Sequence, residues 1–230
     1  MKTYRIADLY CCAGGAGWGY YLTGRFYPEG YDIVDRPNYP CPFNRADAIE
    51  TLRRIIAGDI VVDAVHASPP CQSKCTLNKG TNKRFAFNYA DYYDETKELM
   101  DATGLPGVIE NPSARPDVVL CGEMFGLGVL RHRKFELVNW TTDFSYKRDH
   151  VKHRGRVRGY RHGEWHDGPY IAAYGNGGDK GTVAEMQEAM GITWTDVREE
   201  LTEAIPPAYT KWVGERLAVH LDAMALEEAA

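Results

Sequence analysis

The stretch that decides the fold is Tyr4-Arg5-Ile6-Ala7-Asp8-Leu9-Tyr10-Cys11-Cys12-Ala13-Gly14-Gly15-Ala16-Gly17. Tyr4 to Tyr10 reads as a buried strand, and glycines at positions 14, 15, 17 and 19 make a turn after it. A strand that feeds such a turn brings bare backbone to the carboxyl edge of a sheet, where open α/β sheets hold their ligands. The stretch Asp8 to Gly17 is therefore a candidate ligand site, although a bare glycine turn after a strand is as often structural.

Working outward, Gly30 to Asp35 (GYDIVD) reads as a second strand that ends on an acid. Such sheets often use an acid there for ribose hydroxyls, which makes Asp35 a candidate. Ile49, Leu52, Ile55 and Ile56 recur at helical spacing and predict a helix over Ala46 to Ala57. Val61 to Ser68 is a third apolar strand, stopped by Pro69-Pro70. A helix is expected from Asp91 to Ala102, and short strands at Gly107 to Asn111 and Lys134 to Val138. Strands alternating with helices predict an α/β fold: a mostly parallel, Rossmann-like sheet with helices on both faces.

That alternation stops after Trp140. Lys147 to Arg161 holds seven basic residues and one acid, Asp149. Helical signals return at Thr182 to Met190, Thr195 to Glu203 and Pro207 to Leu226. The shift in composition marks 139–200 as an inserted region between a main domain of 1–138 and its completion, 201–230.

Three later motifs carry chemistry. In Ser68-Pro69-Pro70-Cys71-Gln72 two prolines fix the backbone at a strand end and aim the next side chain outward. A thiol aimed at a ligand edge is a candidate nucleophile. A cysteine packed as a small hydrophobe is the bland alternative, and the polar Gln72-Ser73-Lys74 that follows argues against burial. Glu110 closes an apolar strand before Asn111-Pro112, so desolvation should raise its pKa and keep a proton available. Arg131 and Arg133 flank His132, and in a strand they would share one side and hold a phosphate or carboxylate.

Taken in order, DLYCCAGG, SPPCQ, IENP, RHR and the late AIPPAY resemble the cytosine-C5 DNA methyltransferase family, in its compact, bacteriophage-type form. The likeness covers about 1–137 and 202–216. It implies a domain that binds S-adenosylmethionine (SAM) and a target-recognition region where the basic segment falls. By the same resemblance Cys71 is the nucleophile, Glu110 the acid at cytosine N3, and Arg131 and Arg133 the arginines of the base pocket. Asp8, Tyr10, Gly14, Gly15, Asp35, Asp47, Pro70 and Ile205 match cofactor contacts. Cys12 stands where the family has the turn's first glycine, and Pro112 where it has valine. Contacts to duplex DNA are expected from Gln72, Lys74 and Arg84 in the loop after the cysteine, and from Arg154, Arg156 and Arg158. A methyltransferase acting on tRNA would carry the same motifs, and a non-catalytic binding module could keep the fold.

Bulk composition fits this reading. The 230 residues suit one α/β domain with a small insertion. A net charge of −5 gives no global attraction to nucleic acid, so contacts must come from local basic patches. No apolar run approaches a membrane span and no secretory segment follows Met1, so a cytoplasmic monomer is expected. Cys71 and Cys75 lack a second Cys/His pair at zinc-site spacing, so no metal is expected.

Overall fold

The computed structural model describes residues 1–70, 92–144, 156–161, 163–174 and 180–229. A seven-stranded sheet forms its centre, ordered β3-β2-β1-β4-β5-β7-β6. The strands are β1 (Tyr4–Leu9), β2 (Phe26–Asp32), β3 (Phe43–Arg45), β4 (Ala64–Ala67), β5 (Gly107–Glu110), β6 (Val118–Leu120) and β7 (Arg133–Val138). β7 runs antiparallel to both its neighbours, while β3, β2, β1, β4 and β5 are mutually parallel. This bears out the expected mostly parallel α/β sheet.

The central strands β1, β4 and β5 are buried on both sides because helices cover both faces. Ile6 and Val108 join Tyr20, Tyr209, Val213 and Leu217 in one core, against α1 (Gly15–Tyr21) and α6 (Pro207–Glu228). Ala7, Leu9, Val65 and Ile109 join Leu52 and Met100 in the other, against α2 (Ala48–Ile56) and α3 (Tyr93–Thr103). Successive residues thus serve opposite cores, the period-two rule of a strand. Each fully buried Leu, Ile or Val contributes about 1.5–3 kcal/mol. A third cluster, of Val129, Ala173, Met186, Met190, Ile192 and Leu201, holds α4 (Val183–Met190) and α5 (Arg198–Glu203) together. A hairpin of β8 (Gly159–Arg161) and β9 (Glu164–His166) lies outside the main sheet.

The sequence reading did not anticipate α1, β3, β6 or the hairpin. α1 carries three glycines, and its packing overrides their poor helix propensity. A Cβ on Gly19 would sit 2.0 Å from Thr210 Oγ1 and 2.3 Å from the Pro207 carbonyl, so only glycine lets α1 approach α6 this closely. The second strand also needs correction. It runs from Phe26 to Asp32, and Ile33, Val34 and Asp35 lie exposed beyond its end.

Among the described residues no helix is long and apolar enough to cross a membrane. Nor do three or more His, Cys, Asp or Glu side chains gather there as metal ligands would.

Candidate active site

The strand order reverses between β1 and β4, so the crevice at their carboxyl ends is the place where such sheets bind ligands. Two sets of side chains meet along this edge.

The first set surrounds the glycine turn. Tyr10 and Cys12 adopt positive φ values of 56° and 44°, and Gly14 caps α1 at φ 80°. Tyr10 is half-buried, and its hydroxyl bonds Thr96 at 2.9 Å. Asp32 closes β2 beneath the turn. Its carboxylate accepts from the Cys12 N–H at 3.1 Å, the Val34 N–H at 2.9 Å and Arg36 Nε at 3.1 Å. A carboxylate offers about four lone pairs, so one acceptor position is left. Asp32 therefore holds the strand-end place expected for Asp35. Asp47 caps α2 by accepting from the Glu50 N–H, and its side chain remains exposed at the same edge.

Asp8 does not reach this surface. It is fully buried behind the turn and accepts from the Gly17 N–H at 3.0 Å and the Tyr39 hydroxyl at 2.9 Å. Burial raises its pKa to about 7 against the opposing pull of these bonds, and the nearby Asp32 charge adds to the rise. Gly14 and Gly15 are also more than a ligand cradle. A Cβ on Gly14 would strike Pro40 at 2.5 Å, and one on Gly15 would lie 2.1 Å from the Ile205 carbonyl. Ile205 is buried and closes this end of the sheet through that contact.

The second set lies at β5 and β7. Glu110 is only 8% exposed, and burial raises its pKa while Arg133 and Arg131 oppose the rise. Its Oε1 lies 3.6 Å from Arg133 Nε, too far for a hydrogen bond, and neither buried atom has a hydrogen-bond partner among the described residues. Arg133 donates instead to the Glu203 carbonyl at 3.2 Å. A buried acid and a buried donor, both short of a partner, are arranged for a polar ligand.

Arg131 takes a different course from Arg133, contrary to the shared strand face expected of the pair. It precedes β7, has φ 21°, and bonds the carbonyls of Ala204 at 3.1 Å, Ala173 at 2.6 Å and Thr202. Burial lowers its pKa to about 9, and the Arg133 charge lowers it further. Its guanidinium is a clamp between Ala173 and the segment 202–204 that leads into α6.

Three residues to which the sequence reading gave no role complete the edge. Asn111 donates to the Pro69 carbonyl at 2.9 Å, tying β5 to the Pro69-Pro70 step. Trp194 donates to the Ala13 carbonyl at 2.7 Å and packs its ring 5.6 Å from Trp18, so part of the inserted region walls the glycine turn. His66, inside β4, bonds Ser68. No sequence signal marks Trp194, whereas the Asn after Glu110 was legible as part of the IENP motif.

Pro70 is exposed at the end of this edge. Cys71, Gln72, Lys74, Arg84 and Arg154 lie outside the described residues. Arg156 pairs with Glu123, whose carboxylate also accepts from Tyr170 at 2.9 Å, and Arg158 pairs with Glu185 at 2.8 Å. A cleft of about 230 Å³ beside Arg131 and His132 is lined by Val157, Ile171 and Tyr174 of the inserted region. The larger cleft, about 590 Å³, lies among Trp18, Tyr21, Tyr27 and Pro40 and holds none of the site residues above.

Solved structures share this architecture along nearly the whole chain. A methyltransferase of Entamoeba histolytica, EhMeth, superposes with a TM-score of 0.63 at 12% identity, over 96% of this chain and 99% of that one. The Dnmt2 methyltransferase of S. pombe superposes with a TM-score of 0.53 at 14% identity, over 97% and 99%. The chain has the Rossmann-like fold of a methyltransferase. No family model matches the sequence, and no curated protein does. Within the methyltransferase fold, the glycine turn and the Glu110–Arg133 pair occupy opposite ends of one crevice.

Proposed function

We propose that the protein is a cytosine-C5 DNA methyltransferase that uses SAM and attacks the target base with Cys71. The observation that carries the reading is the Glu110–Arg133 pair: a buried acid with a raised pKa and an unbonded oxygen beside an arginine. That acid ends β5, and Asn111 just after it holds the Pro69 carbonyl, two residues before Cys71.

The residues at the glycine turn fit SAM. Tyr10 offers a half-buried ring for adenine, Asp32 a remaining acceptor position for ribose hydroxyls, and Asp47 an exposed carboxylate near the base. When bound, SAM supplies an electrophilic methyl group.

The chain's own residues make cytosine C5 nucleophilic. The Cys71 thiolate forms a bond to C6, and the C5–C6 π electrons move into the ring. Glu110 as a neutral acid protonates or hydrogen-bonds N3 and stabilises the charge that collects there. C5 then takes the methyl group, a base accepts the C5 proton, and the electron pair left behind restores the C5–C6 double bond and expels the Cys71 thiolate. In a duplex C6 is shielded by stacking, so the base must be flipped out at a cost of a few kcal/mol. We assign target recognition to 139–200, where the basic segment would meet phosphates.

The test is transfer of a labelled methyl group from SAM to duplex DNA and, in parallel, to tRNA. Wild-type protein should label cytosine C5 in DNA, and DNA carrying 5-fluorocytosine should trap a covalent complex through Cys71. Cys71→Ala should abolish both while SAM still binds. Labelling of tRNA alone would replace the substrate, and full turnover by Cys71→Ala would overturn the nucleophile.

A further inference from the structure

A hydrogen-bonded chain runs through the core to the same edge. Tyr20 on α1 meets His66 Nδ1 at 3.1 Å, and His66 Nε2 meets Ser68 Oγ at 3.0 Å. Tyr20 and His66 are both fully buried. Geometry and chemistry together set the direction of this chain.

Tyr20 is held as a neutral phenol, because burial raises its pKa well above the usual value. Its proton has one acceptor among the described residues, His66 Nδ1. If Nδ1 carried the imidazole proton instead, the phenol proton would be buried without an acceptor, which burial disfavours. His66 cannot carry both protons near neutrality, since burial lowers its pKa to about 3. The proton therefore sits on Nε2 and is donated to Ser68 Oγ. Ser68 accepts there, and its own hydroxyl proton is left to point elsewhere.

The sheet register sets where that proton goes. β4 and β5 pair His66 with Val108 and Ala67 with Ile109, and extending that register by one residue, past the end of β4 at Ala67, would bring Ser68 beside Glu110. Adjacent strands lie about 4.8 Å apart, and register partners in parallel strands share a face. The Ser68 N–H is bound to the Leu9 carbonyl at 3.2 Å, which anchors the residue in the crevice between β1 and β4.

We propose that Ser68, its hydroxyl turned outward by the Tyr20–His66 chain, is a second hydrogen-bond donor to the pyrimidine that Glu110 engages. This rests on the cytosine reading above and adds a residue to it. Glu110 meets the ring nitrogen, and Ser68 meets a neighbouring acceptor on which charge accumulates when the thiolate adds. Tyr20 and His66 are positioning residues that act only through Ser68.

Ser68→Ala should lower kcat roughly 10²-fold, the usual cost of one donor to a developing charge, with KM for DNA and SAM within about twofold. Ser68→Thr, which keeps the hydroxyl, should recover most of the rate. Tyr20→Phe should lower kcat several-fold in the wild-type background and change nothing further in Ser68→Ala, because the two act in series. Nitrogen-15 shifts of His66 should report the Nε2–H tautomer from pH 5 to 9, independently of activity. Wild-type rate in Ser68→Ala, additive effects in the double variant, or an Nδ1–H tautomer would each overturn the donor role while leaving the cytosine reading intact. A wild-type protein that methylates no cytosine would overturn that reading, and this role with it.

Discussion

Asp8 on β1 and Glu110 on β5 are both buried carboxyls near the carboxyl ends of parallel strands, with β4 between them, and they differ in what surrounds them. Asp8 accepts two hydrogen bonds from the fold, from Gly17 and Tyr39, and its neighbouring charge is another acid, Asp32. Glu110 faces two arginines, yet its Oε1 receives no hydrogen bond. Desolvation raises both pKa values. Each leaves one buried oxygen, Asp8 Oδ1 and Glu110 Oε1, without a hydrogen-bond partner among the described residues, so the difference lies in the other contacts: Asp8 Oδ2 is tied to the turn by Gly17 and Tyr39, whereas Glu110 lies beside two arginine charges.

Isosteric amides break the comparison most directly. Glu110→Gln keeps the shape and removes the acid, so kcat should fall about 10²–10⁴-fold, with SAM affinity by calorimetry unchanged. Asp8→Asn should leave kcat within a few-fold. A rate loss for Asp8→Asn as large as that for Glu110→Gln would mean that the two carboxyls share a role.

Gly15→Val strikes the turn that Asp8 supports. A Cβ there lies 2.1 Å from the Ile205 carbonyl, so the first casualty is the contact between α1 and the loop entering α6. Overpacking of this kind costs about 1–3 kcal/mol or more. The melting temperature should fall by several degrees, and any loss of SAM affinity should follow from it. A variant of wild-type stability that fails to bind SAM would restore the simpler reading, in which the glycine exists for the cofactor.

Asp8 also leaves a mark on the pH dependence of stability. Its folded pKa is about 7, above the ordinary aspartate value of 3.8, so between these limits the folded state holds more protons than the unfolded one. Stability must therefore fall as pH rises from about 4 to about 7, and level off beyond. Glu110, also raised, adds the same sign. Asp8→Asn should flatten the plot of melting temperature against pH in that window without levelling it fully. An unchanged slope would mean that Asp8 is ionised throughout.

Asp8 and Glu110 were not equally legible in the sequence. Glu110 could be found because an acid after Val108-Ile109 and before a proline has one plausible location, the end of a buried strand. The place of Arg133 followed from a different strand, the one expected over Lys134 to Val138, which it opens as β7. Asp8 was found but misread, because nothing in the string tells a carboxyl behind a turn from one in front of it. Asp32 was passed over for Asp35, since Ile33 and Val34 look like strand continuation, yet they are 62% and 51% exposed. Arg131 was grouped with Arg133 by spacing, and a positive φ separates them. α1 was missed because the reason for its glycines lies on α6, far away in the chain. Local pattern revealed the sheet, and long-range contact decided which side chains face the crevice.

The smallest expected effect concerns charge rather than acid, and it applies the same comparison of contacts to the basic segment. A free arginine that neutralises a phosphate adds about one unit to the slope of log affinity against log salt. Arg156 and Arg158 each hold an internal acid, Glu123 and Glu185. To meet a phosphate, either must leave that carboxylate or share it, so the net charge it brings to DNA is reduced. Exposed ion pairs are worth only about 0–1 kcal/mol, so exchange is feasible, but it is not free. Replacing both with Gln should therefore flatten the salt slope for duplex binding by less than about one unit in total, and SAM affinity should stay as it was. Glu185→Gln sharpens the point, because it frees Arg158 without adding charge to it and should steepen the slope. If the double Gln variant loses a full two units, both pairs open on binding, and the acids serve as placeholders for phosphate instead of structural partners.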